Sequence, residues 1–179
     1  MNSYMVLKPQ DVLVLLKLIA IDGNNWSYNG LAVELGMSPA EVHAAAKRAL
    51  AAQLAVKRDG KLFPNVRNLE EFLIHGIRYV FVPERGDVTR GIPTLYAAAP
   101  LKNEIVSSLE PPPVWPDPEG ESRGASFSPL YRSVPRAARV DKQLYELLVL
   151  VDAIRAGRAR ERSMAISVIK KRLARYAER

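Results

Sequence analysis

The residues of this chain best suited to chemistry are cations set on short, well-marked elements. Lys57, Arg58 and Lys61 flank Asp59-Gly60, a pair that favours a type I′ turn, so the three would gather at a hairpin tip. Such a tip meets phosphate oxygens as a set of positive charges and carries no base information of its own. Ser38, His43, Lys47 and Arg48 lie along the next-door helical stretch, off its apolar side, where donors can reach base edges or phosphates. Arg85-Gly86 and Arg90-Gly91 are a further pair of cation–glycine steps, which makes Arg85 and Arg90 candidates for phosphate or partner contacts. That run is neither G-x-G-x-x-G nor a P-loop, so an ordered loop is the stronger reading and a nucleotide site the weaker.

Other chemistry is poorly supplied. The chain has no cysteine, which removes thiolate zinc sites, disulfides and a cysteine nucleophile. It has two histidines, His43 and His75, and lacks H-E-x-x-H, G-x-S-x-G and any carboxylate cluster with metal-ligand spacing. The expectation is no enzyme, no metal and no cofactor, with His75 serving a buried polar group. The first residues, M-N-S-Y-M-V-L-K, lack the layout of a signal peptide, and Lys17 interrupts the apolar run over 12–21. A cytoplasmic protein without a membrane span is expected, bacterial-like in style. A net charge of +7 and a pI near 9.8 favour an acidic partner, most often nucleic acid. Residues 155–179 hold nine Lys/Arg against two Glu, so the excess sits at the C-terminus rather than on the stretch just described. A solvated face is the usual fate of such a run; a second DNA-binding surface is the sharper reading.

The elements that must position these side chains are signalled in order. Pro9 and Asp11 open a helix that is apolar on most sides. Ser27 caps a short helix carrying Leu31, Ala32 and Leu35, and Gly36 stops it. Ser38, Pro39 and Glu41 form a capping box for a helix of about residues 39–53, with Val42, Ala45, Ala46, Ala49 and Leu50 on one side. A hairpin of about residues 55–63 follows. Two helices joined by a short glycine-containing turn match the helix-turn-helix unit, whose second helix enters the major groove. Residues 9–63 resemble winged helix-turn-helix transcriptional regulators, most closely the MarR-like group, with the hairpin as the wing. The resemblance implies binding to double-stranded DNA, repression, and a homodimer formed through helices at the chain ends. Trp26 would either begin the short strand that often pairs with such a wing or plug the core. Ala40, Ala44, Ala45 and Ala46 offer only small apolar contacts, so phosphates would supply much of the affinity.

Beyond the hairpin, residues 68–79 read as a helix capped by Asn68, with Gly76 allowing a close backbone approach. Residues 83–101 read as loop, and the stretch to 139 as a Pro/Gly/Arg-rich strap anchored by Trp115. Asp141 caps a helix with Leu144, Leu147, Leu148, Val151 and Ile154 in a stripe, Gly157 breaks it, and residues 160–175 form another. The expected fold is therefore mainly α with a small β-hairpin. It has three parts: a winged helix-turn-helix domain (1–82), an irregular connecting segment (83–140) and a C-terminal helical hairpin (141–179) for dimerisation or partner binding. The leading functional expectation is a DNA-binding transcriptional regulator. The alternative is a protein-interaction module, including an antitoxin-like protein, on the same scaffold.

Overall fold

The computed structural model describes residues 5–105 and 110–179, and every structural statement below concerns those. Helix α1 (Pro9–Ile21) starts at its proline, and Asp11 accepts a hydrogen bond from the Lys8 backbone N–H at 2.8 Å. Residues 11–19 are all buried, as a helix apolar on most sides must be, and its two charges, Asp11 and Lys17, are buried with them. Helix α2 (Tyr28–Leu35) is capped by Ser27, whose Oγ accepts from the Gly30 N–H at 3.0 Å, and it ends at Gly36 with φ +63°. Helix α3 (Pro39–Ala51) carries the expected capping box: Ser38 Oγ accepts from Glu41 N–H at 3.2 Å, and Glu41 Oε2 accepts from Ser38 N–H at 2.7 Å. Strands β1 (Ala55–Arg58) and β2 (Lys61–Pro64) pair antiparallel with Arg58 opposite Lys61. Asp59 (φ +47°) and Gly60 (φ +76°) both take the left-handed conformation that a type I′ turn demands. No strand forms at Trp26. Its ring packs edge-on against Tyr28 at 5.3 Å, and β1–β2 stay a two-stranded pair.

Asn65, not Asn68, caps α4 (Val66–Glu71); Asn68 instead donates its side-chain amide to the Gln53 carbonyl at 2.9 Å. The helix runs on through a π-helical turn (Phe72–Gly76) into α5 (Ile77–Val80). Gly76 faces the Phe72 ring, 3.0 Å from where a Cβ would stand, so the close neighbour is a side chain rather than a backbone. His75 is exposed and serves no buried polar group, contrary to the sequence expectation.

The largest correction concerns residues 83–140. The stretch read as irregular forms β3 (Arg85–Pro93), β4 (Pro113–Pro116) and β5 (Ser122–Phe127), which close on one another into a small three-stranded barrel. Strand β3 runs antiparallel to both partners, and β4 and β5 run parallel. Its glycines carry the explanation. A Cβ on Gly91 would stand 2.0 Å from the Trp115 carbonyl oxygen, and one on Gly124 would stand 1.9 Å from the Pro112 carbonyl oxygen. Backbones pass too closely there for any side chain, so the composition that reads as loop is what barrel closure requires.

Helices α6 (Val134–Val140), α7 (Lys142–Ala156) and α8 (Ala159–Ala177) complete the chain, with Asp141 capping α7 as expected through Leu144 N–H at 3.0 Å. The apolar stripe of α7, Leu144, Leu147, Leu148, Val151 and Ile154, is at most 2 % exposed within the single chain. Helix α7 packs against α1, α5, α6 and α8. The terminal hairpin is thus folded onto its own chain, and that stripe has no surface left for a second copy. A single hydrophobic cluster runs from Val12 to Leu173 through all three parts foreseen in the sequence.

Asp152, 1 % exposed on α7, ties these parts together. Its carboxylate accepts from Thr94 Oγ1 at 2.7 Å, from Trp115 Nε1 at 2.7 Å and from the Arg155 guanidinium at 2.8 Å. Arg155 also donates Nε–H to the Phe81 carbonyl at 2.8 Å, which pins the end of the α4–α5 helix. Burial outweighs the donors and leaves the Asp152 carboxyl raised, with Arg155, Thr94 and Trp115 pulling the other way by favouring the anion. Substituting Asp152→Asn leaves the Arg155 charge buried without compensation and is expected to cost about 3–5 kcal/mol in denaturant unfolding. The double variant D152N/R155M is expected to recover part of that loss, because it removes the uncompensated charge as well.

Candidate nucleic-acid interface

Along α3 the buried residues Val42, Ala45, Ala46 and Ala49 face the core, and the complementary stripe faces out. Ala40, His43, Lys47 and Ala51 are exposed on that stripe, and Ala44 is half-buried. His43 stacks flat on the Tyr28 ring, centroids 4.0 Å apart at 19°, which fixes the imidazole at the junction of α2 and α3. Lys47 projects into solvent with no ion pair among the described residues. Ser38 is spent on the helix cap, so its hydroxyl is already an acceptor for Glu41 N–H.

Arg48 differs from the expectation. Its guanidinium clamps Asp11 through Nε and Nη2, with contacts of 2.7 to 3.0 Å. Asp11 is fully buried and the Arg48 side chain 15 % exposed, so this pair joins α3 to α1 and does not face outward with Lys47. Sequence spacing put Arg48 off the apolar stripe, which is correct, yet a long side chain at the stripe's border can fold back over the neighbouring helix.

Lys57, Arg58 and Lys61 are all exposed at the hairpin tip, as the turn chemistry implied. Arg58 borders a cleft of about 520 Å³ between the hairpin and the end of α8, with Val56, Phe63 and Tyr176 also on its walls. Arg85 and Arg90 are not brought to this face. Both lie on β3 of the barrel, where Arg85 Nη2 donates to the Ala156 carbonyl at 3.2 Å and its guanidinium sits 5.4 Å from the Phe127 ring centroid. Arg90 stands opposite Arg123 in the β3–β5 register.

Sequence reading missed residues supplied from far along the chain. Tyr131 donates its hydroxyl to Glu41 at 2.9 Å, and Arg132, 79 % exposed, lies 3.5 Å from the same carboxylate. Arg136 on α6 reaches back to the α2–α3 turn, its Cδ 3.3 Å from where a Cβ on Gly36 would stand. These cations flank the start of α3, and no local pattern around residues 128–140 announces that they return to it. Glu41 is therefore doubly used. The Ser38 backbone N–H first, and then the Tyr131 hydroxyl, hold its carboxyl below the usual carboxylate value of 4.5.

Among the described residues no group of three or more His, Cys, Asp or Glu is placed to hold a metal. Nor is any helix among them long and apolar enough to cross a membrane. Compared with family models, with curated proteins and with solved structures, the chain finds no match.

Two predictions separate structural from exposed cations here. Arg48→Ala leaves a buried carboxylate unpaired and is expected to lower stability by about 3 kcal/mol, whereas Lys47→Ala is expected to stay within about 0.5 kcal/mol in the same unfolding experiment. A depressed carboxyl pKa stabilises the fold fully above its unfolded value and loses that contribution as pH falls through the folded value. Acid melting curves of the wild-type chain are therefore expected to fall more steeply below pH 4.5 than those of Glu41→Gln.

Proposed function

We propose that residues 9–64 form a winged helix-turn-helix and that the protein is a DNA-binding transcriptional regulator, acting as a repressor. One observation carries the reading. On the outer stripe of α3, Ala40, His43, Lys47 and Ala51 are exposed, with His43 held by its stack on Tyr28, and the hairpin that follows presents Lys57, Arg58 and Lys61 to solvent. In this reading α3 lies in the major groove with His43 and Lys47 toward the bases and Ala40 and Ala44 against thymine methyls. The hairpin cations hold the phosphates, and Arg132 and Arg136 add positive charge beside the start of α3. Arg48 has no part in recognition; it keeps α3 seated on α1.

The test is fluorescence anisotropy with the protein's own upstream DNA and a scrambled duplex over a salt series. Wild type is expected to prefer the upstream duplex with an affinity that falls steeply with salt. The variant K57A/R58A/K61A is expected to lose about three units of the log–log salt slope. Equal weak binding to both duplexes, unchanged in the variant, contradicts the proposal. A second reading, a protein-interaction module, draws on the exposed apolar residues Tyr79, Val80 and Val82, which are 73, 53 and 69 % accessible. It gains if the hairpin variant behaves as wild type.

A further inference from the structure

Side-chain contacts divide the C-terminal cations into committed and free groups. Arg155 is buried on Asp152, Arg172 pairs with Glu146, and Arg179 pairs with Asp22 at 2.7 Å. Arg158 lies 3.6 Å from Glu110, and Arg162 donates to the Gly157 carbonyl at 3.1 Å. Lys170, Lys171 and Arg175 are exposed on the last turns of α8 and make no ion pair or side-chain hydrogen bond among the described residues; Arg160, in the first turn, is likewise exposed and unpaired there. Ala165, Ile169 and Leu173 bury one side of the helix, and the three cations are spread over the exposed remainder, Lys170 and Arg175 about 140° apart around the axis.

This surface differs from an ordinary solvated helix face. From 162 to 177 the sequence contains no Asp or Glu; the acids bounding this run are Glu161, buried in the first turn of α8, and Glu178 at its C-cap. Lys171 and Arg175 stand at i and i+4, a like-charge spacing that works against the helix. A face selected only for solubility would interleave acids at that spacing. The position matters as much as the charge. Tyr176 and Ala177, in the final turn of α8, form one wall of the cleft whose other wall is the hairpin with Arg58. Helix α4, whose Arg67 is exposed, packs on α8 beside it. The last turn of α8 therefore adjoins the hairpin, while Arg175 itself borders the neighbouring cleft with Asp22, Glu146 and Arg172.

We propose that the C-terminal half of α8 is a second phosphate-binding surface, contacting through Lys170, Lys171 and Arg175 the backbone of the same duplex that the hairpin engages. The inference rests on the DNA-binding reading above. It assigns these residues affinity without sequence discrimination, because phosphates carry no base information.

The experiment compares wild type, K170A/K171A/R175A and the charge-preserving K170R/K171R/R175K on the upstream and scrambled duplexes across a salt series. The alanine variant is expected to lose about three units of salt slope on both duplexes, with the preference between them unchanged. The charge-preserving variant is expected to keep the wild-type slope. A wild-type slope in the alanine variant, with binding still dependent on Lys57, Arg58 and Lys61, overturns this inference alone and leaves the regulator reading standing. Equal loss in both triple variants also overturns it, since the effect then follows the side-chain shapes and not the charge. Absence of salt-dependent binding by wild type overturns both.

Discussion

The carboxylate of Asp152 is the constraint on which the rest of the molecule depends. It sits near the C-terminal end of α7 with essentially no access to water, and an anion there is tolerable only when donors surround it. Those donors come from β4 (Trp115), from the turn after β3 (Thr94) and from α7 itself (Arg155). Satisfying one buried charge thus fixes where the barrel sits on the helical core. Through the Phe81 carbonyl, Arg155 extends the same constraint to the helix that follows the hairpin. The aromatic ring of Trp115, fully buried, adds the apolar area that holds this arrangement closed.

A similar logic positions the proposed DNA-reading face. Helix α1 is buried along its length yet carries two charges, and each is matched to another element. Asp11 receives Arg48 from α3. Lys17, 3 % exposed, meets Asp141 at the cap of α7 and Glu34 on α2. Burial works against the charged form of Lys17, and hydrogen bonds with Asp141 and Glu34 outweigh it, so its pKa is raised. These pairs set α2 and α3 on α1 while leaving His43 and Lys47 outside. Tyr131 and Arg136, from the stretch that follows β5, contact the α2–α3 corner and tie the C-terminal half of the chain to it.

Local signals were legible where one residue type has one dominant use. The capping box of Ser38 and Glu41, the left-handed Gly36, the Asp59-Gly60 turn and the Asp141 cap all appear where the sequence places them. What escaped is tertiary. Gly91 and Gly124 read as loop residues because a sequence shows missing side chains but not the carbonyl oxygens that occupy their place. The stripe of α7 reads equally well as a dimer seam or as a core, since period alone does not say what covers it. Arg48 and Lys47 are neighbours with the same charge, yet one is a strut and the other is free. That difference is set by a carboxylate 37 positions away.

Backbone amide chemical shifts during titration of the labelled protein with its upstream duplex test directly whether the proposed face binds DNA. Perturbations are predicted to gather at Ala40, His43, Ala44 and Lys47 and over residues 57–61, with β3 to β5 unmoved. Shifts confined to the barrel or to Tyr79, Val80 and Val82, with the outer stripe of α3 silent, would contradict it.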